Sequence, residues 1–348
     1  MKRFGPTRKE FLEDVALGVA GVTLGLPLLT GASASAATSE MPYRTLGRTG
    51  EKISVLGLGG VQLGFFQDEA ESIRFVRTAI DNGITYVEGS WDYFKGMCDE
   101  RIGKALRDGY RKKVFLATKI DGRSKERAAA QLDDCLKRLG TDMIDLIQFH
   151  EVVYMEEPER IFGPGGAVEA VLAAKKAGKV RFIGFTGHYH PDVHLKLLDT
   201  AFKRGFRFDT GMIPLNVMDA HYNSFAKKMV PALRKQDIGI LGFKSLGGGT
   251  FVGKVTPGIN PVVGRFKITP AECIRYSMSL PTAAVISGMG SFDELNRNLE
   301  TACSFRPMSE PEVARLLAKT ADSGAAGEYE WFKGPAGLAH KLGQGDYA

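Results

Sequence analysis

Residues 114–119 read VFLATK and residues 145–150 read DLIQFH, two apolar runs that each end in an ionisable side chain. A third run, TYVE at residues 85–88, ends in the same way, and Tyr93 follows five residues later. Short apolar runs of this length predict buried β-strands. In a βα repeat, ionisable residues at the C-terminal ends of successive strands meet at the face where barrel enzymes place their chemistry. The candidate catalytic residues are therefore Glu88, Tyr93, Lys119 and His150.

The chain continues this alternation of apolar runs and helical patterns from Met41 onward. Eight strands are predicted at residues 55–58, 85–88, 114–118, 145–149, 180–185, 210–215, 238–243 and 284–286. The eight helices that alternate with them are predicted at residues 71–82, 99–107, 125–139, 167–176, 191–203, 224–235, 270–278 and 292–303. Alternation favours a parallel sheet covered by helices, and eight units favour closure into a (β/α)8 TIM barrel, an α/β fold.

The predicted barrel domain spans residues 41–322. It opens with an N-terminal hairpin, formed by residues 43–46 and a run that begins at Ile53, and it closes with an extra helix at residues 311–321. Residues 323–348 form a Gly-rich C-terminal tail that also carries aromatic side chains. Such a tail either packs across the barrel mouth or stays mobile.

The first 37 residues have the three-part order of a secretory signal. A polar, partly basic stretch is followed by an uncharged apolar run at residues 15–29 and by small residues of the A-x-A kind. Residues 7–12, TRKEFL, resemble the twin-arginine export motif, with Lys9 where a second arginine is usual. We therefore predict a bacterial, periplasmic protein that meets the export machinery through residues 1–37 and keeps no stable membrane span afterwards. The general secretory route and an uncleaved anchor remain alternatives.

The composition argues against several classes of function. The 348 residues carry a net charge of +6, but no basic tract alternates with aromatic residues, so no nucleic-acid partner is predicted. The four cysteines form no CxxC pair, which gives no support to a zinc knuckle or an iron–sulfur cluster and leaves disulfides open. His188, His190 and His194 straddle a strand end and a helix start, so they need not share a face, and no metal site is predicted.

The four candidate catalytic residues suit the reduction of a carbonyl, which needs a hydride on carbon and a proton on oxygen. A free tyrosine, with a pKa of ~10, holds its proton too tightly, and a cation within ~4–6 Å lowers that pKa. Lys119 would supply this cation, and Glu88 would hold the lysine in place and keep it protonated. His150 would donate a hydrogen bond to the substrate oxygen and orient the carbonyl. Tyr93 is then the predicted proton donor.

The chain resembles the aldo-keto reductases over nearly the whole predicted mature region. The matching segments are YRTLGRTG at residues 43–50, ATK at 117–119, DLIQFH at 145–150, GKVRFIG at 178–184 and PLN at 214–216. Tyr93, Lys119 and His150 match three of the family's four catalytic positions, while the family usually has Asp where Glu88 stands. The resemblance implies a barrel that binds a nicotinamide dinucleotide without a Rossmann motif. Residues 57–62, GLGGVQ, indeed lack the third glycine of that fingerprint.

The resemblance also implies which residues bind the cofactor. They are Thr186, Gly187 and His188 after strand five, Phe243, Lys244, Leu246 and Gly247 after strand seven, and Ser287, Gly288, Glu294 and Asn298 after strand eight. Phe243 would stack on the nicotinamide ring. Met212 stands where the family tends to carry glutamine, and it cannot replace the paired hydrogen bonds of an amide. Glu294 would repel a 2′-phosphate but accept a hydrogen bond from a ribose hydroxyl, so NADP or NAD stays open, with NADPH selectivity in doubt.

We therefore expect an enzyme that reduces a small-molecule aldehyde or ketone to an alcohol, or runs the reverse reaction, with NAD(P) as cofactor. Trp91 and Phe94 beside Tyr93 favour a substrate with an apolar or sugar-like face. The alternative is a barrel of this family that binds a ligand or a partner and has lost turnover. Glu88, Met212 and an export signal favour that alternative, and titration with both dinucleotides distinguishes the two.

Overall fold

The computed structural model describes residues 40–248 and 261–335. Its strands are β1 Tyr43–Thr45, β2 Lys52–Ser54, β3 Leu56–Gly59, β4 Tyr86–Glu88, β5 Phe115–Ile120, β6 Ile144–Phe149, β7 Val180–Thr186, β8 Thr210–Pro214, β9 Gly239–Phe243 and β10 Ala284–Gly288. The α-helices of the described residues are Glu69–Asp81, Met97–Ala105, Lys125–Leu139, Glu157–Phe162, Ala167–Lys176, Pro191–Lys203, Phe225–Lys235, Pro261–Phe266, Pro270–Ser279, Phe292–Cys303 and Glu310–Ala325. The predicted signal at residues 1–37 and the tail beyond residue 335 lie outside the described residues.

Eight parallel strands close into one barrel in the cyclic order β10-β3-β4-β5-β6-β7-β8-β9. Neighbours in sequence are neighbours in space, and the last strand pairs with the first, Val285 lying opposite Leu56. Helices follow the strands and cover their outer faces, as the alternation in sequence predicts. The predicted (β/α)8 TIM barrel is therefore confirmed.

The barrel interior changes from apolar to polar toward the C-terminal ends of the strands. Side chains alternate between the two faces of each strand. The inward-facing residues near the middle form an apolar floor that includes Tyr86, Phe115, Leu146, Met212, Leu241 and Ile286. Two residues further along β4 and β6, the buried inward residues are Glu88 and Gln148, and Gln148 lies opposite Lys119 of β5. A polar layer thus begins directly above an apolar floor.

The N-terminal hairpin closes the opposite end of the barrel. Strands β1 and β2 pair antiparallel, with Arg44 opposite Ile53. Leu46 and Ile53 are fully buried and join the apolar floor. Gly47 has φ +50, and a Cβ there would clash with the backbone of Gly239, so this close approach requires glycine. The hairpin leaves the C-terminal mouth as the end of the barrel where chemistry can occur.

Helix caps fix where several covering helices begin. The Ser124 hydroxyl accepts a hydrogen bond from the Arg127 amide, and Thr269 and Glu272 form a reciprocal capping box. A side-chain cap of this kind stabilises a helix by about 0.5–2 kcal/mol. The helices Lys125–Leu139, Ala167–Lys176, Pro191–Lys203 and Phe292–Cys303 have the bounds that the sequence predicts.

The structure differs from the sequence predictions in several segments. Two short helices, Glu157–Phe162 and Pro261–Phe266, were not predicted, because six residues are too few to show a helical period. Strand β5 continues to Ile120, so Lys119 lies within the strand rather than after it. The last helix, Glu310–Ala325, runs past the predicted domain boundary at residue 322. Within the part of the chain that the structure describes, no helix is both long and apolar enough to cross a membrane.

Candidate active site

Three of the four candidate catalytic residues meet at one ammonium group. Lys119 Nζ lies 2.9 Å from Glu88 Oε1 and donates hydrogen bonds to Tyr93 Oη at 3.1 Å and to the carbonyl oxygen of Gly89 at 2.8 Å. The exposed fractions of the Lys119 and Glu88 side chains are 1% and 2%. Both side chains enter from adjacent strands, β5 and β4, on the inward face. The lysine is therefore fixed by three oxygens and faces the phenol.

The second carboxylate oxygen of Glu88 is also engaged. Its Oε2 accepts hydrogen bonds from Tyr86 Oη at 3.3 Å and from Gln148 Nε2 at 3.2 Å. The extra methylene, relative to the Asp usual in the family it resembles, lets the carboxylate bridge the lysine and the barrel interior. Sequence reasoning missed Gln148, although its position two residues before His150, on the same strand face, could have identified it.

His150 follows β6 and lies beside Tyr93. The two rings are perpendicular, with centroids 5.8 Å apart. His150 Nδ1 lies 2.9 Å from Asp121 Oδ1 and 3.6 Å from Asp92 Oδ1. Sequence reasoning missed Asp121, which lies two residues after Lys119 and so shares its inward face. The structure thus brings all four predicted catalytic residues together and adds two carboxylates beside the histidine.

A strained turn positions Tyr93. The 3-10 segment Tyr93–Gly96 contains Phe94 and Lys95 with φ values of 51° and 56°. Two adjacent non-glycine residues in the left-handed region cost about 1–3 kcal/mol each, and such strain clusters at functional sites. The Phe94 ring packs edge-on against Phe65, with centroids 4.9 Å apart, and both rings are exposed. An apolar rim therefore lies next to the candidate proton donor.

Trp91 does not contribute to that rim. Its indole nitrogen donates a hydrogen bond to Asp134 Oδ2 at 3.3 Å, and the ring packs against the Arg138 guanidinium. Both partners belong to the helix Lys125–Leu139 on the outside of the barrel. These contacts support a packing role for Trp91, and the ring that lies against Phe94 is Phe65.

The acidities of the cluster depend on burial as much as on the lysine. Burial raises the pKa of Tyr93, Lys119 lowers it, Glu88 and Asp92 raise it again, and the outcome is a pKa above the usual value. Burial alone would lower the pKa of Lys119, but Glu88 and Tyr93 outweigh it and raise that pKa. Lys119 therefore lowers the pKa of Tyr93, as the sequence predicts, but burial of the phenol and the Glu88 charge outweigh that effect.

The carboxylates near His150 and the burial of its ring shift its pKa in opposite directions. Burial alone would lower the pKa of His150, but Asp92 and Asp121 raise it above its usual value. Burial raises the pKa of Asp92 itself. The two carboxylates therefore favour an imidazolium ion at this position.

The predicted cofactor residues after β9 provide a cation and an aromatic face. Phe243 ends the strand, and Lys244 Nζ lies over its ring at 5.5 Å from the centroid and over Phe332 at 4.7 Å. Lys244 forms no ion pair with a carboxylate among the described residues, and burial lowers its pKa to about 8. Gly247 forms the turn that follows, with φ +75, while Leu246 packs against the core.

The predicted cofactor residues after β10 form a small polar patch. Asn298 Nδ2 donates a hydrogen bond to Ser287 Oγ at 3.1 Å, and both residues are buried. A Cβ at Gly288 would clash with the amide of Gln62, whose Oε1 is buried without a hydrogen-bond partner among the described residues. Glu294 Oε2 accepts a hydrogen bond from the Gly290 amide at 2.7 Å.

The predicted cofactor residues after β7 have more local roles in the structure. Gly187 is needed for packing, because a Cβ there would clash with His194 and with the carbonyl of Val152. Thr186 is buried, and its carbonyl oxygen accepts a hydrogen bond from the Val152 amide at 2.9 Å. His188 Nε2 lies 3.1 Å from Glu151 Oε1. These three residues therefore shape the loop wall after β7.

The three histidines of residues 188–194 have separate surroundings. His188 faces Glu151, and His190 caps the helix Pro191–Lys203 by accepting a hydrogen bond from the Asp192 amide. His194 is fully buried, with Nε2 3.2 Å from the carbonyl oxygen of Val152, and burial lowers its pKa to about 3. The structure does not bring their ring nitrogens together.

Residues Tyr329–Lys333, which we call the C-terminal strap, pack across the loops after β8 and β9. Lys333 Nζ lies 2.6 Å from Asp219 Oδ1 and 2.7 Å from Glu330 Oε2, and all three side chains are buried. Trp331 Nε1 donates a hydrogen bond to the Gly248 carbonyl at 2.6 Å. Of the two expectations for the tail, the described part fits packing across the mouth.

The side of the mouth formed by β9, β10 and β3 fits a nicotinamide dinucleotide on three observations. Lys244 offers an ammonium group without a carboxylate partner among the described residues. Gln62 Oε1 is buried without a hydrogen-bond partner in the same described set. Gly288 leaves open beside Gln62 the space that a Cβ would fill. These features follow three adjacent strands and suit an extended, anionic ligand.

Comparison with known proteins agrees with this geometry. The model of the Aldo/keto reductase family matches residues 55–321. The chain is 31% identical over 235 residues to the aldo-keto reductase YhdN of Bacillus subtilis (strain 168), a match that covers 62% of this chain and 65% of that protein. It is 26% identical over 292 residues to the L-galactose dehydrogenase of Arabidopsis thaliana, covering 75% of this chain and 88% of that protein. The solved aldo-keto reductase AKR11C1 from Bacillus halodurans, in its holo form, superposes with a TM-score of 0.65 at 22% identity, over 80% of this chain and 96% of that chain.

Proposed function

Because this chain belongs to the aldo/keto reductase family, we propose that it reduces a small-molecule aldehyde or ketone with a nicotinamide dinucleotide, or catalyses the reverse oxidation. One observation carries the proposal: a buried ammonium group, neutralised by Glu88 at 2.9 Å, donates a hydrogen bond to a tyrosine hydroxyl at 3.1 Å. The relatives that the chain resembles are oxidoreductases, which supports the same reaction class.

Tyr93 is the proton donor in this proposal, and Lys119 stabilises the phenolate that remains. The bond from Lys119 Nζ to Tyr93 Oη already exists, so it strengthens as negative charge develops on that oxygen without any rearrangement. Since burial raises the pKa of Tyr93, the phenol keeps its proton until the substrate oxygen becomes strongly basic. Glu88 keeps Lys119 protonated and fixed.

His150 orients the carbonyl. Its Nδ1 donates a hydrogen bond to Asp121, so Nε2 can donate to the substrate oxygen next to Tyr93 when the ring is doubly protonated, the state that Asp92 and Asp121 favour. The reduced dinucleotide, when bound, supplies the hydride. Lys244 would neutralise the phosphates of the dinucleotide, and the Phe243 ring would stack on its nicotinamide. Ser287, Glu294 and Asn298 would contact the rest of the dinucleotide. NADP or NAD is the proposed cofactor.

The rim beside Tyr93 points to the substrate's character. Phe65 and Phe94 present exposed rings, with 57% and 40% of their surfaces accessible. Two exposed, perpendicular aromatic rings next to Tyr93 favour a carbonyl compound with an apolar or sugar-like face.

The proposal is tested by mixing the purified mature chain with each reduced dinucleotide and a panel of carbonyl compounds. Carbonyl-dependent loss of reduced cofactor supports it, and the Tyr93→Phe variant is the matched control. Absence of binding to either dinucleotide would instead favour the second candidate, a barrel that binds a ligand or partner without turnover. Met212 favours that candidate, because a thioether on the barrel floor replaces an amide.

We also propose that residues 1–37 direct the protein to the bacterial periplasm. The support is the order of basic, apolar and small residues in the sequence. Replacing Arg8 and Lys9 with alanine should leave the full-length precursor in the cytoplasm if the twin-arginine route is used. Unchanged export of that variant would point to the general secretory route.

A further inference from the structure

Three oxygen atoms surround one nitrogen of His150. Nδ1 lies 2.9 Å from Asp121 Oδ1, 3.4 Å from Ser90 Oγ and 3.6 Å from Asp92 Oδ1. Nε2 has no hydrogen-bond partner among the described residues. A carboxylate can only accept, so Nδ1 carries a hydrogen and donates it to Asp121. The ring orientation is thereby fixed, with Nε2 as the atom left for a substrate.

We propose that Asp121, assisted by Asp92, is a positioning residue for the reaction proposed above: it keeps His150 doubly protonated, so that a charged Nε2–H faces the carbonyl oxygen. This inference rests on the proposed function. A charged donor forms a stronger hydrogen bond than a neutral one, and it strengthens further as the oxygen becomes anionic. The residue acts through His150 and does not itself touch the reacting atoms.

The balance of charge around His150 supports this assignment. Lys119 and Glu88 form their own neutral pair nearby, and Arg123 pairs with the buried Glu157 while it donates hydrogen bonds to the carbonyl oxygens of Asp121 and His150. Glu151, the next residue along, pairs with His188 and adds further negative potential. Asp92 and Asp121 are then two carboxylates facing one imidazole. A positive charge on His150 lowers the electrostatic energy of this group of residues.

The burial of Asp121 argues that its charge has a purpose beyond packing. The residue is 3% exposed, and its Oδ2 is buried with no hydrogen-bond partner among the described residues. An ionised carboxylate with one unsatisfied oxygen is unfavourable in the interior unless a nearby cation compensates it. Arg123 contacts the backbone of Asp121, whereas an imidazolium at His150 places a positive charge 2.9 Å from the carboxylate itself. The same two carboxylates raise the pKa of His150 despite its burial.

The decisive measurement is an NMR titration of the histidine ring protons in the intact protein without cofactor. The chain has six histidines, so the His150 signal is assigned by its loss in the His150→Gln variant. We expect a wild-type midpoint above the ordinary ~6.5, and a midpoint about one pH unit lower in Asp121→Asn. Asp145→Asn is the control, because this buried carboxylate lies at the other end of β6 and binds Arg181 and Arg111.

A second variant keeps the inference testable if Asp121→Asn does not fold. Asp92→Asn should lower the His150 midpoint by a smaller amount, since its oxygen lies 3.6 Å away rather than 2.9 Å. An unchanged midpoint in the folded variants overturns the inference. A wild-type midpoint that shifts on adding EDTA also overturns it, because the Asp92, Asp121 and His150 atoms lie close enough together to hold a divalent cation instead.

The pH profile of carbonyl reduction separates this inference from the proposed function. In wild type, kcat/KM should fall as rising pH deprotonates His150, and in Asp121→Asn that fall should begin about one pH unit lower. If Asp121→Asn reduces carbonyls with the same pH profile as wild type, the proposed role of Asp121 is wrong but the proposed reductase activity is supported. If the NMR midpoints shift as expected but the protein reduces no carbonyl compound, the charge on His150 is supported and the proposed reductase activity is wrong.

Discussion

Replacing Glu88 with glutamine removes one charge from the buried pair with Lys119 while keeping the length of the side chain. The two charged atoms lie 2.9 Å apart, and the exposed fractions of the side chains are 1% and 2%. At an effective dielectric constant of ~20, the attraction over this distance is about 6 kcal/mol. Desolvation offsets part of it, and removing one partner of a buried pair costs about 3–5 kcal/mol. We expect the free energy of unfolding to fall by that amount.

The assay is urea unfolding of the wild type, Glu88→Gln and a matched control, Glu69→Gln. In the control pair, Lys104 Nζ lies 2.7 Å from Glu69 Oε2, but the side chains are 37% and 47% exposed. An exposed pair of this kind contributes about 0.2–1 kcal/mol. The two ion pairs therefore differ far more in burial than in N–O distance. The difference between the losses of unfolding free energy in the two variants then isolates the effect of the low-dielectric interior.

The loss of unfolding free energy in Glu88→Gln should also depend on pH in a defined direction. Without Glu88, burial lowers the pKa of Lys119, so the folded state favours the neutral amine. The penalty is then largest near neutral pH and shrinks as the pH rises toward ~10.4, where the unfolded lysine also loses its proton. Equal losses for Glu88→Gln and Glu69→Gln, or a loss independent of pH, would refute this account of the site.

Three further predictions concern the Tyr93 hydroxyl, the choice between NADPH and NADH, and Glu330 of the C-terminal strap. Tyr93→Phe should lower kcat/KM for carbonyl reduction by about 10²–10⁴, the range for a lost general acid, and a variant at the wild-type rate would exclude Tyr93 as the donor. Glu294→Arg should raise the ratio of kcat/KM for NADPH over NADH, and an unchanged ratio would show that this residue does not meet the ribose. Burial raises the pKa of Glu330 to about 7, so wild-type stability should fall as the pH rises from ~4.3 to that value. Glu330→Gln should lack that slope in urea midpoints, and a slope that persists in the variant contradicts the assignment.

The sequence predicted the barrel well because its strands and helices each follow a local rule. Apolar runs predicted the strands, and helical patterns predicted the bounds of helices such as Lys125–Leu139 and Phe292–Cys303, which the structure reproduces. The order of the elements then left one closed topology. Helices of six residues escaped detection because they carry less than two turns of pattern.

The candidate site was predictable only where strand ends bring residues together. Lys119 and Glu88 lie on adjacent strands, so their contact follows from parallel pairing. The alternation along β5 places Asp121 on the same face as Lys119, but its contact with His150 also requires the chain to stay extended beyond Ile120, where the strand ends. The pKa of Tyr93 depends on burial and on several charges at once, so the presence of Lys119 alone could not predict whether that pKa rises or falls.

The C-terminal strap has a consequence for any shortened version of this protein. A chain stopped at residue 322 would retain every strand of the barrel and nearly all of its last helix. It would nevertheless lose Lys333, the ammonium group that Asp219 binds in the interior. Asp219 also accepts hydrogen bonds from the amides of Phe225 and Ala226, at the start of the helix Phe225–Lys235. Because the strap follows every strand of the barrel in the chain, the mouth of the barrel is completed only after residues Tyr329–Lys333 have been synthesised.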